Sequence, residues 1–333
     1  MKQNNYLKNI AISTFLLGSI IAVAQTPVLV KDIYSGTSNS NPEQLTDVNG
    51  TLFFVATTGT SGTGTGKELY KSNGTSAGTT LVKDIYIGGN SNPANLTNWN
   101  GTLYFTATDA THGTELWKTD GTTAGTVLVK DIAASTASSN PANLIVFNNA
   151  LYFVADDGAS GYELWKTDGT EAGTAIVTDL YTGSTDAFPS SATSRHFAIM
   201  GSYLYFMAQG SNSTGYELWR TNGTAGGTTL VKDIYTGSGH GYPNHLKNVN
   251  NTLYFWAKTS VAGYELWKSD GTESGTVMIK DIYPGSSDSG WAFNSYNNNS
   301  STTSTPDFFL FGGNVYFTAQ DGSTGYELWK TDG

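Results

Sequence analysis

Six glutamates hold one place in a repeated phrase. Glu68, Glu115, Glu163, Glu217, Glu265 and Glu327 each begin a copy of Glu-Leu-Trp-Lys-Thr-Asp-Gly. Tyr70 replaces the tryptophan in the first copy, and Trp117, Trp165, Trp219, Trp267 and Trp329 occupy that place in the others. A carboxylate can act as general acid, base or nucleophile, or ligate a hard cation. A residue written into every unit, however, is one that every unit needs. These glutamates and tryptophans are therefore assigned to structure. The acids pair with backbone N–H groups or the nearby lysine, because a buried charge must be partnered. The indoles fill gaps between units, each buried apolar side chain contributing about 1.5–3 kcal/mol.

The Asp-Gly turns at Asp120-Gly121, Asp168-Gly169 and Asp270-Gly271 raise calcium as a cofactor. Against it, Asn73 and Asn222 stand at two equivalent positions, and no Asp-x-Asp-x-Asp-Gly series is present. Turn chemistry explains Asp and Asn equally well, so no cofactor is assigned and calcium is the secondary reading.

Residues that break the repeat are the better candidates for a ligand site. They are His112, Asp156, Asp157, His240, Tyr242, His245 and Trp291, expected with Asp186 and Asp288 on loops at one rim, and Tyr296 in the surface insertion at Asn294–Thr305. The histidines show no helical metal-ligand spacing, so no metal site is assigned. Innermost strands offer Glu43, Asp47 and Asp307 as carboxylates, and no Gly-x-Ser-x-Gly elbow occurs. No catalytic residue is nominated.

The elements that must carry these residues follow from the second repeat. It reads as four strands: Asn92–Trp99, Thr102–Ala107, Thr114–Thr119 and Thr126–Ile132. Asn100-Gly101 and Asp120-Gly121 mark turns, and the strands are rich in aromatic and β-branched residues. Steps of 47, 48, 54, 48 and 62 residues separate the six glutamates, a period that marks a repeat architecture. Four antiparallel strands per unit predict an all-β fold, a β-propeller of about six blades; a parallel β-helix is the rival, with shorter turns. The blades fall at residues 35–86, 87–134, 135–182, 183–235, 236–283 and 284–333. A spare fourth strand at residues 27–34 is expected to close the last blade, the alternative being a fragment of a longer repeat array.

Residues 1–24 read as a secretory signal peptide, with Lys2 and Lys8 before an apolar run and Ala22-Val23-Ala24 before Gln25. The run is too short for a membrane span, and the propeller domain occupies residues 25–333. The net charge of -10 argues against nucleic acid, whose phosphates need a basic face. With no cysteine there is no disulfide framework.

Glu163–Thr170, with the recurring Thr-x-Ala-Gly-Thr and Val-Lys-Asp-Ile, resembles the ELWxxDGT repeat family of exported bacterial proteins. The match spans nearly all of the chain after the leader. Members are familiar from Bacteroidetes-like bacteria and often end in a type IX secretion sorting domain, which this sequence does not display. The resemblance implies a secreted or outer-surface protein and carries over no catalytic residue. The expectation is a binding or adhesion module for protein or glycan. Its alternatives are a polysaccharide-directed hydrolase or lyase, and a scaffold segment of a larger secreted protein.

Overall fold

The computed structural model describes residues 26–59, 64–189, 197–211, 214–290 and 308–333. The signal peptide, Trp291, Tyr296 and Asp307 lie outside the described residues. The chain is all-β and forms six antiparallel sheets in a propeller-like succession, five of four strands and the last of three. The first holds β1 (Glu43–Val48), β2 (Thr51–Thr58), β3 (Gly66–Ser72) and β4 (Thr80–Lys83). The second holds β5 (Ala94–Trp99), β6 (Thr102–Asp109), β7 (Gly113–Thr119) and β8 (Val127–Lys130). The third holds β9 (Ala142–Phe147), β10 (Ala150–Asp156), β11 (Tyr162–Thr167) and β12 (Ala175–Thr178). The fourth holds β13 (Ala198–Met200), β14 (Tyr203–Ala208), β15 (Glu217–Thr221) and β16 (Thr229–Lys232). The fifth holds β17 (Asn244–Val249), β18 (Thr252–Ala257), β19 (Glu265–Ser269) and β20 (Val277–Lys280). The sixth holds β21 (Phe309–Phe311), β22 (Asn314–Ala319) and β23 (Glu327–Thr331).

Local chemistry explains the strand ends. In five of the six sheets the first hairpin turns on two residues with positive φ, as at Asn49 (51°) and Gly50 (82°) or Asn250 (50°) and Asn251 (60°). Asn and Gly supply that conformation at least cost. The turn from third to fourth strand is locked by its own side chains. Asp168 Oδ1 accepts from Thr170 N (2.8 Å) and Thr170 Oγ1 (2.7 Å), and Thr167 bonds Thr174 through their hydroxyls at 2.7 Å. Asn73 and Asn222 make the same two bonds through Oδ1, which is why Asp and Asn interchange there. The fourth strands are shorter than the sequence pattern suggests. In the second sheet the ladder stops at Lys130, because the N–H of Ile132 turns away to Glu115 Oε2 at 3.2 Å.

Both faces of an interior sheet are buried. On β10, Leu151, Phe153 and Ala155 pack with Tyr104 and Leu116 of the second sheet; Tyr152 and Val154 pack with Leu204 and Phe206 of the fourth. Strand alternation sends successive side chains to opposite faces, so one phrase serves two interfaces. Trp117, Trp165, Trp219 and Trp267 are each buried at such a joint, as the repeat predicted. Polar stitching crosses the same joints. Lys71, Lys118, Lys166 and Arg220 donate to the carbonyls of Gly121, Gly169, Gly223 and Gly271 in the following repeat at 2.7–2.8 Å.

The expected closing strand is not seen. Residues 28–33 form no strand, and among the described residues β23 has no strand on its outer side. The stretch is held elsewhere: Lys31 Nζ donates to Thr79 O at 2.7 Å, and Ile33 packs against Phe54, Ala56 and Tyr70. Phe153 tests the interleaved packing. It is fully buried, so Phe153→Ala should cost about 3–5 kcal/mol in urea unfolding, and a loss below 1 kcal/mol would contradict a joint packed on both sides.

Candidate functional site

Five of the six repeated glutamates are buried and taken up by structure, whereas Glu327, expected to serve in the same way, is exposed on β23. Glu115 Oε1 accepts from Ala133 N (3.2 Å) and Ser139 N (3.0 Å), and Oε2 from Ile132 N (3.2 Å) and Ser139 Oγ (2.5 Å). Each acid thus ties its third strand to the connection that leads into the next sheet. Glu68 does so with Ile85 and Ser91, and Glu265 with Ile282, Tyr283 and Ser289. Glu163 has Ala187 where the serine would stand, and Glu217 has Gly241, which contributes only its N–H. Burial pushes both of these carboxyls up to about 8, and Glu68 to about 7. A carboxyl whose pKa is raised on folding favours the native state in its protonated form. The contribution is complete below about pH 4.5 and is lost as pH rises through 7 to 8. Melting temperature should therefore fall between pH 5 and pH 9, and Glu163→Gln should flatten that slope. An unchanged pH profile in the variant would show that the carboxyl is not the titrating group.

The connections between sheets and the loops between second and third strands share one rim, as the sequence pattern implied. One backbone bond joins them in each sheet, for example Thr108 N to Ser91 O (2.8 Å) and Lys258 N to Gly241 O (2.9 Å). On this rim lie His112, Asp156, Asp157, His240 and Tyr242. His245 was expected on a loop with them but belongs to β17, because the residues after Pro243 already pair with β18.

Three of these residues have local roles. Asp109 Oδ2 bonds His112 Nδ1 at 2.7 Å and holds the imidazole above its ordinary pKa. Burial opposes ionisation of Asp109, but hydrogen bonds from His112 and Thr111 outweigh it and hold this carboxyl low. Asp156 Oδ1 accepts from Gly158 N at 2.7 Å, and Asp157 Oδ1 from Ala159 N and Ser160 N at 2.9 and 2.7 Å, so both shape their own turn. No group of three or more His, Asp or Glu side chains able to hold a metal ion occurs among the described residues. The Asp-Gly turns spend one carboxylate oxygen on their own Thr. Asp168→Asn should thus keep the melting temperature, Asp168→Ala should lower it, and added calcium or EDTA should shift neither.

The connections into the last three sheets depart from Ser-Asn-Pro, as Ala187-Phe188, Gly241-Tyr242 and Ser289-Gly290, and the one into the fifth gathers rings on the rim. His240, Tyr242 and Tyr216, the last missed by sequence reading, form a cluster with ring centroids 5.0–5.6 Å apart and planes inclined by 23–31°. Lys258 Nζ stands 5.2 Å from the ring centre of Tyr242 and 5.6 Å from that of Tyr264. His240 Nδ1 accepts the N–H of Tyr216 at 3.0 Å, the bond that Asn90, Asp186 and Asp288 make with Lys67, Tyr162 and Tyr264. That acceptor role needs a neutral ring with its proton on Nε2. Burial, aided by the charge of Lys258, holds the His240 pKa down accordingly. Tyr242 is the stronger anomaly. Its φ is 45°, at the residue before a proline where other repeats place Asn41, Asn92 and Asn140 with φ of 44–46°. Asn tolerates that conformation, whereas a bulky side chain is strained there by about 1–3 kcal/mol. The sequence signal was available: Tyr242-Pro243 in the place of Asn-Pro.

A second anomaly sits on the innermost strands, where Gln44 (54°), Asn95 (56°), Asn143 (59°) and His245 (53°) take left-handed backbone. Each occupies a bulge in the pairing of first and second strands. Gln44 and Asn95 donate across to Pro93 O and Pro141 O of the next repeat at 3.2 and 3.4 Å. They border a polar concavity of about 360 Å³. His245 instead bonds its neighbour Asn244 at 2.5 Å.

Fold and rim together define an all-β, propeller-like repeat protein with an aromatic cluster at the rim of its fifth sheet. No family model matches the chain, and no curated protein matches it. Among solved structures it is similar to a prolyl endopeptidase (12% identity, TM-score 0.49, covering 88% of this chain and 41% of that one). It is also similar to a puromycin hydrolase (12%, 0.45, 84% and 42%) and to a Bacteroides ovatus xyloglucan-locus GH43B protein (15%, 0.31, 84% and 62%). The chain spans less than half the length of the first two. Likenesses at this level carry nothing about activity.

Proposed function

We propose that the protein is an exported binding or adhesion module of the ELWxxDGT type, a ring of six blades that engages its ligand with the rim of the fifth. The favoured ligand is a glycan at the cell surface. The observation that carries this reading is Tyr242, which replaces Asn at a strained position and joins a cluster of two further rings and a lysine. Aromatic faces receive the C–H surface of a sugar, and the ammonium of Lys258 offers hydrogen bonds or charge to hydroxyl or carboxylate substituents. The neutral His240 adds a donor at Nε2.

Magnitudes make Tyr242→Asn a suitable probe. It relieves about 1–3 kcal/mol of backbone strain and forfeits ring and cation contacts of similar size, so the variant should melt within a few degrees of the parent. Its affinity for the glycan should drop about tenfold, as should that of Lys258→Ala, the equivalent of roughly 1.4 kcal/mol. A glycan-array screen of purified protein supplies the ligand, and titration calorimetry of the variants supplies the comparison. A parent that retains no glycan, or a Tyr242→Asn variant that binds like the parent, would remove the support for this site.

A further inference from the structure

We infer that the joint between the first and second sheets holds a binding pocket for one neutral sugar ring, on the rim opposite the aromatic cluster. That rim carries the first hairpins and the Asp-Gly turns, so this site and the one around Tyr242 are separate and can fail separately.

The pocket comes from two departures from the repeat that coincide at this joint. The other five second strands carry a tyrosine, as Tyr104, Tyr152, Tyr205, Tyr254 and Tyr316. The hydroxyls of the first three lie against the turn glycine of the next repeat: a Cβ on Gly169, Gly223 or Gly271 would stand 2.2–2.4 Å from them. Phe53 holds this place in the first sheet and has no hydroxyl; a Cβ on Gly121 would stand 3.1 Å from its Cζ. A large residue at the end of the first strand closes the same space in the next three joints. Trp99 packs on Tyr104 with ring centroids 5.3 Å apart, and Phe147 on Tyr152 at 5.5 Å. Met200 Cε would lie 3.5 Å from a Cβ on Gly271. In the first sheet that residue is Val48. With smaller side chains at both places, a recess of about 190 Å³ is left, bounded in part by Val48, Asn49, Phe53, Lys71, Asp120 and Gly121.

The polar groups of the recess set the class of ligand. Lys71 Nζ gives one N–H to Gly121 O at 2.7 Å, which leaves two of its three donors. Asp120 Oδ1 accepts from Thr122 N and Oγ1 at 2.8 and 2.7 Å, while Oδ2 accepts no hydrogen bond among the described residues. The Thr122 bonds, helped by the charge of Lys71, hold the Asp120 carboxyl below its ordinary pKa, so it is ionised at neutral pH. The Asn49 amide adds donors and an acceptor, and it leans over Gly101, where a Cβ would come within 2.4 Å of Nδ2. One ammonium and one carboxylate leave the recess without net charge: an anion would meet Asp120, and a cation Lys71. A hydroxyl both donates and accepts, so neighbouring hydroxyls on a ring can satisfy carboxylate, amide and ammonium together. Phe53 and Val48 supply the apolar surface that receives a sugar's C–H groups. The volume lies below the roughly 300–1,000 Å³ of sites for drug-sized ligands, which suits one ring.

Variants borrowed from the protein's own repeats test the pocket without disturbing the fold. Phe53→Tyr installs the residue of the other five second strands. Asp120→Asn installs the one that Asn73 and Asn222 show to be compatible with the turn. Both should melt within a few degrees of the parent. Saturation-transfer NMR on the purified protein uses D-glucose, D-galactose and D-mannose as probes, with glucuronate and glucosamine as charged counterparts. At least one neutral hexose should bind with a millimolar dissociation constant, in line with what so few contact atoms can supply. Each variant should weaken that binding about tenfold, and Tyr242→Asn should leave it unchanged. Silence from all three hexoses, a preference for a charged sugar, or a Phe53→Tyr variant that binds like the parent would overturn the pocket. A signal lost only in Tyr242→Asn would belong to the aromatic cluster and overturn it equally.

Discussion

The interaction on which the molecule depends is a carboxylate with backbone donors on its far side. A lone buried charge is costly, and converging N–H and O–H groups are what make it tolerable. Each glutamate reaches from a third strand to the residues that follow the fourth, so it fixes how the chain leaves one sheet and enters the next. The direction in which sheets succeed one another is thereby set by a polar contact, while hydrophobic burial supplies most of the stabilisation at the joint. The serine is the adjustable part. Where it is absent, at Ala187 and Gly241, the acid stays buried without a hydroxyl donor, and burial pushes its pKa to about 8.

Much of this was legible in the sequence, for reasons that can be named. Strand identity came from alternating aromatic and β-branched residues, and the hairpins from Asn-Gly and Asn-Asn, whose positive φ the structure reproduces. Assigning Glu115 and Trp117 to structure followed from their repetition, and both are buried at a joint. The donors to Glu115 were not legible, because they are backbone groups and a serine 24 residues away whose role depends on three-dimensional closure. The ends of the fourth strands were overextended for the same reason. His245 was misplaced because a bulge residue with left-handed backbone carries no hydrophobic signal; only the offset from Gln44, Asn95 and Asn143 reveals it.

The candidate site was half legible. His240 and Tyr242 stood out as departures from the repeat, but Tyr216 did not, since Tyr162, Tyr264 and Tyr326 occupy the same position in other copies. What sets Tyr216 apart is its company, the imidazole and phenol brought against it by the connection into the fifth sheet. The connections into the first three sheets keep Ser-Asn-Pro, and those into the last three vary, as Ala187-Phe188, Gly241-Tyr242 and Ser289-Gly290. A rigid frame with loops free to differ is the usual way in which repeat proteins acquire specificity.

The joints have a consequence for how such a protein changes over generations. Every interior interface reuses the same bond from lysine or arginine to a glycine carbonyl and the same acid-to-amide bond. A duplication or deletion of one whole repeat therefore creates no interface that the fold has not already solved. Lineages can gain or lose blades in single genetic steps, and a rim residue such as Tyr242 can be copied to a new angular position together with the blade that carries it.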